Sequence, residues 1–311
     1  AEKLQIGYDS KLLADQAILL GRSGNFWTAL LNKFTKINLS PSFAYDQPQL
    51  EKLLNEMSLQ INIAPEEALF KFENGRVTAF HQSKSGQKLD KNRAVTDFLK
   101  LLSPPKSGKI ILQTLTVEPK IKTEAANNLG IKELVAEGKS FFRGSIPNRI
   151  YNIALASSRI NGLLIFPGEI FSFNQAVGKI SDKTGYKQAY VIKEKRTVLD
   201  DGGGVCQVST TLFRAALLAG LPIIERQAHA YRVGYYEQNS GPGFDATVYN
   251  PSVDLKIKND TANHLLIQTQ TDQQALGLTI RLYGTKDQRT VTIGKTKILS
   301  EVKPLENLYQ E

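Results

Sequence analysis

The segment 200–221, DDGGGVCQVSTTLFRAALLAGL, constrains the fold more than any other, because three consecutive glycines run straight into a helical apolar pattern. Val205, Val208, Leu212, Ala215, Ala216 and Ala219 fall on one helical face. Gly220 suits the C-cap and Pro222 stops continuation. The glycines allow tight or left-handed backbone and close approach of another group. Cys206 then lies in the first turn of the helix, where unpaired amide N–H groups and the positive dipole end favour a thiolate. Many cysteine nucleophiles use this arrangement. A free cysteine is equally at home as a small buried packing residue, and the helix alone does not separate the two.

Cys206 is the only cysteine in 311 residues, which excludes an intramolecular disulfide without fixing the compartment. The chain is long enough for two or three domains. No apolar run approaches the roughly 18 residues needed to span a bilayer. Because the sequence opens at Ala1 without an initiating Met, it is expected to be a trimmed fragment whose targeting or anchor segment is absent. Net charge is +9 with a pI near 9.4, which suits a polyanionic partner. The basic residues are scattered, and no zinc-finger, helix-turn-helix or aromatic-rich RNA-binding motif occurs, so nucleic acid is not the expected partner.

The pattern along the chain predicts two α+β regions. Helices are expected at 9–21, 26–34, 46–58 and 90–102, with Asp46 as a cap and Pro48 in the first turn. A strand is expected at 37–43. Strands at 68–73 and 76–81 flank Asn74-Gly75, a hairpin signal, and another strand is expected at 110–117. From residue 123 the pattern gives a short helix to 134, a strand at 137–143, an amphipathic helix at 148–160 and a strand at 163–165. The rest is strand-rich to about 293. The expected organisation is a helical segment at 1–36, an α+β module at 37–120, a strand-rich α+β domain at 121–296 and a tail at 297–311. In the third of these the Cys-bearing helix should pack on a mostly antiparallel sheet.

Two segments after Cys206 bear on its chemistry. Residues 222–236, PIIERQAHAYRVGYY, read as one long strand or two, and 244–249, FDATVY, as another. If they pair, Asp245 reaches His229. A Cys-bearing helix, then His, then Asp is the chain order of transglutaminase-like thiol hydrolases, although the interval from Cys206 to His229 is shorter here. In that arrangement His229 deprotonates Cys206, Asp245 orients the imidazole, and helix-start amides hold the oxyanion. Gly204, Gln207, Asn174, Phe173, Tyr231 and Arg226, with Phe171, are candidate substrate-lining residues, and the phenylalanines serve equally well as core. A metal is the rival use of Cys206, His229, Asp245 and His264. No ligand spacing supports it, so neither metal nor cofactor is expected.

The motifs NIALASSRING (152–162), PGEIFSFN (167–174), TGYKQA (184–189), GGGVCQVSTTL (202–212), AGLPIIERQAH (219–229), FDATV (244–248) and DLKIKN (254–259) resemble the VanW family, named for an accessory protein of vancomycin-resistance gene clusters. Upstream, Tyr45-Asp46, INIAPEEALF (61–70) and GQKLD (86–90) are similar to the peptidoglycan-binding module that often precedes that domain, and AILLGRSGN (17–25) resembles the end of a preceding copy, which implies that 1–36 is its remnant. The resemblance implies an extracytoplasmic, membrane-tethered envelope protein that binds peptidoglycan or an anionic wall polymer, and it supplies no established activity. Two functional readings stay open: a wall-binding protein, and a thiol enzyme acting on peptidoglycan stem peptides through Cys206, His229 and Asp245.

Overall fold

The computed structural model describes residues 4–21, 43–102, 108–193, 196–294, 296–297 and 299–300. The expected helix at 26–34, most of the strand at 37–43 and nearly all of the tail lie outside these. The helices are α1 (Ser10–Gly21), α2 (Gln47–Ile61), α3 (Lys91–Leu102), α4 (Pro147–Ile160), α5 (Phe173–Val177), α6 (Val205–Leu218) and α7 (Gly234–Glu237). The strands are β1 (Gly7–Tyr8), β2 (Phe43–Ala44), β3 (Leu69–Glu73), β4 (Arg76–His81), β5 (Gly86–Leu89), β6 (Thr114–Val117), β7 (Glu133–Phe141), β8 (Leu164–Ile165), β9 (Ile170–Ser172), β10 (Gln188–Lys193), β11 (Arg196–Asp201), β12 (Ile223–Glu225), β13 (Lys256–Lys258), β14 (Leu265–Asp272) and β15 (Gly277–Gly284). Among the described residues no helix is long and apolar enough to cross a membrane.

The chain divides into two compact units, 1–67 with 83–120, and 68–82 with 121–311. In the first, Asp46 caps α2 by accepting from the Gln49 N–H at 2.9 Å, with Pro48 in the first turn. Asp90 does the same for α3 through the Arg93 N–H. Leu50 and Leu54 of α2 meet Leu89 of β5 and Ala94 and Phe98 of α3 in a small core. β6 pairs antiparallel with β5, so the expected strand at 110–117 narrows to its last four residues.

The second unit is a mostly antiparallel α+β fold. Its main sheet runs β7-β15-β14-β8, all neighbours antiparallel, with α6 packed over β7 and β15 and α4 over β14. The core between them holds Ile153, Ile160, Val208, Leu212, Ile267 and Ile280, all fully buried. α6 crosses β7 at Gly138, where a Cβ would stand 2.3 Å from the Thr211 carbonyl oxygen and 2.6 Å from the Ala215 nitrogen; only glycine permits that approach. The Asn74-Gly75 hairpin β3–β4 belongs to this unit: Phe70 is fully buried with Leu164 and Leu266, and the Phe72 ring stacks on Tyr283 at 4.8 Å. The helix expected at 123–134 is a short 3-10 helix at Thr123–Asn128, because Gly130 turns to φ +67° and the strand β7 starts at Glu133.

Candidate functional site

Everything in the site is hung on the start of α6. Gly204, the N-cap, sits at φ +112°, and Gly203 lies so close to β10 that a Cβ would meet the Tyr190 carbonyl oxygen at 2.6 Å. The turn therefore delivers Cys206 as the second helical residue, partly buried against the core. The Val205 and Gln207 amides donate to the Gly202 and Gly204 carbonyls. Among the described residues the Cys206 amide has no acceptor, which leaves a helix-start donor at the sulfur-bearing residue itself.

The sulfur lies 3.6 Å from the Val248 carbonyl oxygen and 3.7 Å from the Thr247 hydroxyl. The His229 ring engages the same thiol. Asp245 holds His229 twice: Oδ2 is 2.6 Å from the ring Nδ1 and accepts the His229 backbone N–H at 2.8 Å. Asp245 thus occupies Nδ1, which leaves Nε2 as the ring nitrogen free to serve the thiol. Arg226 donates to the other Asp245 oxygen at 3.3 Å and to the Asp245 carbonyl at 2.7 Å, fixing the carboxylate from behind. The His229 side chain is only 3% exposed, and its ring packs on Tyr236 with centroids 4.6 Å apart.

The electrostatics follow from this burial and pairing. Burial pushes the Cys206 thiol up, yet the hydrogen bond and charge of His229, with a smaller contribution from the Thr247 hydroxyl, bring it below its ordinary value. Burial pushes His229 down, and the bonds to Asp245 and Cys206 outweigh it, raising the imidazole to about 9. Asp245, although buried, is held below the usual carboxylate range by its two bonds from His229 and by the Arg226 charge. The three side chains form a chain in which each neighbour favours the charged form of the next.

The backbone carrying them differs from the strands the pattern predicts. β12 ends at Glu225 because its partner β13 is only three residues long. A single bridge from Gln227 to Thr247 follows, and His229 sits on a loop. The Asp245 carboxylate takes the His229 N–H that a ladder would have used, a side-chain capture that competes with sheet. The loop is stapled to α6 instead. Ser209 donates to the Ala246 carbonyl at 2.7 Å, Thr210 accepts the Ala246 N–H at 3.1 Å, and the buried Arg214 donates to the Phe244 carbonyl at 2.9 Å.

The expected lining residues divide. Tyr231 is 40% exposed, bonds Thr197 of β11 through its hydroxyl at 2.7 Å, and lines a cleft of about 240 Å³ with His229, Arg232, Tyr236, Glu237 and Phe244. Arg226 supports Asp245. Gln207 is fully buried with both amide ends engaged, by Arg149 at 2.9 Å and the Phe141 carbonyl at 3.1 Å. Phe173 and Phe171 belong to the core, Asn174 is tied to the backbone of Val253 and to Asp254, and Gly204 acts through its backbone alone. These five face inward because α6 and the α5 segment turn those positions toward the sheet. His264 packs its ring on Phe166 and places Nδ1 3.2 Å from the Leu129 carbonyl, outside this group. Sequence reasoning missed Thr247, Tyr236, Arg149 and the Ser209–Thr210 staple. Only the staple had a signal: Cys206, Ser209, Thr210 and Arg214 lie on one helical face.

Residues 148–283 match the family described as "VanW like protein", and residues 1–110 the family described as "Putative peptidoglycan binding domain". An uncharacterized protein of Bacillus subtilis, YoaR, is 35% identical over 163 residues, 52% of this chain and 52% of its own length. The vancomycin B-type resistance protein VanW of Enterococcus faecalis is 37% identical over 133 residues, 42% of this chain and 48% of its own. The chain spans about half the length of these relatives. No solved structure matches it significantly.

Proposed function

We propose that this chain, a VanW-like domain behind a peptidoglycan-binding domain, works at the cell wall as a thiol enzyme that cleaves or exchanges amide bonds in peptidoglycan stem peptides. The upstream match supports retention on wall polymer, and the +9 charge is compatible with anionic wall components. The vancomycin-resistance name of one relative supports the same association with the wall. One observation carries the enzymatic part: His229, fixed by Asp245 at 2.6 Å, engages the Cys206 thiol at the start of a helix.

In this reading the Cys206 thiolate attacks the amide carbonyl carbon, forming a C–S bond. The Cys206 N–H donates to the resulting oxyanion. The proton held on His229 passes to the departing amine nitrogen as the C–N bond breaks, leaving a thioester. Water, or the amine of a second peptide, then gives its proton to His229, attacks the thioester carbonyl and releases the thiolate. Asp245 keeps the imidazole in the required tautomer throughout.

A role limited to binding rests on a different observation, that the cleft beside His229 is lined without Cys206. The pH dependence of iodoacetamide alkylation separates the two. The enzyme reading expects Cys206 to react well below its ordinary pKa and to lose that reactivity in His229→Ala. A thiol inert until the protein is denatured removes catalysis and leaves wall binding. Mass spectrometry after incubation with stem peptides would then look for the acyl-enzyme, which Cys206→Ala cannot form.

A further inference from the structure

Two arginines of the second unit, Arg149 and Arg214, are each only 6% exposed, and among the described residues neither has a carboxylate within ion-pair distance. A buried cation without an anion is costly unless something else compensates it. For Arg214 that compensation is on hand. Its Nε donates to the Phe244 carbonyl, Nη1 to the Lys139 carbonyl and Asn239 Oδ1, and Nη2 to the Tyr236 carbonyl, so four of the five N–H donors meet oxygen dipoles. Arg214 is a clamp on the loop that carries Asp245.

Arg149 is different. Nη1 donates to the Ser145 hydroxyl at 2.7 Å and Nη2 to Gln207 Oε1 at 2.9 Å, while the Tyr235 ring covers the guanidinium at 4.0 Å. One further contact goes to the Tyr236 hydroxyl, and the remaining donors have no protein acceptor among the described residues. Tyr236 in turn lies against the His229 ring and within the field of the Cys206 sulfur. Burial keeps its phenol protonated, so beside the base stand a fixed cation with donors to spare and a neutral O–H. Together they match a carboxylate, which Arg binds in fork geometry and a phenol can supplement.

We propose that Arg149 and the Tyr236 hydroxyl form a carboxylate subsite beside the thiol, so that the acyl donor is a peptide bearing a free carboxylate next to the bond attacked. This rests on the thiol reading above and adds the substrate's charge to it. The domain then acts at carboxylate-bearing positions of a peptide and not on uncharged internal stretches.

The test compares two alkylating agents of nearly equal size, iodoacetate, which carries a carboxylate, and iodoacetamide, which does not. Their rate ratio at Cys206 cancels the thiolate fraction and reports the positive charge around the sulfur, from His229 and the subsite together, which the variants separate. The native protein should raise the iodoacetate-to-iodoacetamide ratio roughly tenfold over the denatured chain, the effect of one added charge at short range. Arg149→Met should cut it severalfold, to the level that the charge on His229 sustains by itself. Arg149→Lys should keep part of it, and Tyr236→Phe, which preserves the ring against His229, should lower it. If Arg149→Met does not fold, these last two decide the matter. N-acetylalanine, and not N-acetylalaninamide, should protect Cys206 from iodoacetamide. Rapid iodoacetamide reaction at low pH with an unchanged ratio, or a ratio indifferent to Arg149 and Tyr236, overturns the subsite and leaves the triad standing. Inertness to both reagents overturns both.

Discussion

At Cys206 a helix start, an imidazole and two oxygen neighbours act on one sulfur, and their net effect has a sign that solution measurements can read. His229 is raised to about 9 from an ordinary 6.5, so the folded protein binds the extra proton and this contribution to stability fades as pH rises from about 6.5 through 9. Cys206 is lowered, so its contribution is present above the unfolded value and is lost as pH falls through the folded one; it therefore gives the opposite slope in the overlapping range. The two slopes oppose each other, as they must for a proton shared within one pair. Cys206→Ala should unmask the histidine: Asp245 still raises it, so urea-unfolding stability should fall with pH from about 6.5 upward more steeply than in the parent. Parallel profiles for the two proteins would mean that no pair exists. Cys206, His229 and Asp245 were legible as residues because each carries chemistry in a recognisable order. Tyr236 and Arg149 were not, because a buried tyrosine and a helical arginine look ordinary until the fold sets them beside the histidine.

The element that organises this chemistry is α6, whose apolar face was plain in the sequence and whose polar face was passed over. Cys206, Ser209, Thr210 and Arg214 recur at helical spacing and grip the loop at 243–248, doing with side chains what a strand pair was expected to do with backbone. The error lay in reading 222–236 by alternation alone: periodicity cannot see that the partner strand stops after three residues. Thr210→Val keeps the shape but strips the partner from the buried Ala246 N–H, one residue from Asp245. The expected cost is about 1–3 kcal/mol in denaturant unfolding, with slower alkylation of Cys206 as Asp245 loosens. Unchanged alkylation at reduced stability would show that the staple holds the fold and not the site. On the other side of the same helix, Gly138→Ala would drive a methyl into backbone atoms of Thr211 and Ala215 that cannot give way. It should destabilise by about 3 kcal/mol or more, and a measured loss below about 1 kcal/mol would mean that α6 can lift from β7.

Across the whole molecule the two kinds of region were visible in the sequence, and the assignment of the Asn74-Gly75 hairpin was not. The turn chemistry of that hairpin is local and strong, whereas its docking partners, Leu164, Leu266 and Tyr283, lie far along the chain where no short-range pattern can announce them. The consequence is testable because the core of the first unit is one cluster of residues, separate from the two clusters of the second. Scanning calorimetry of the intact chain should resolve two transitions, one for each unit. Phe98→Ala, in the core of the first unit, should lower one of them and leave the alkylation rate of Cys206 untouched. Phe70→Ala lies within the sequence limits of the upstream module, yet it empties a fully buried site on the second unit, where Phe70 N–H also bonds the Gly162 carbonyl at 3.1 Å. It should lower the other transition, by about 3–5 kcal/mol. If Phe70→Ala instead shifts the same transition as Phe98→Ala, the hairpin is energetically part of the upstream unit, and the boundary between the two units follows the sequence.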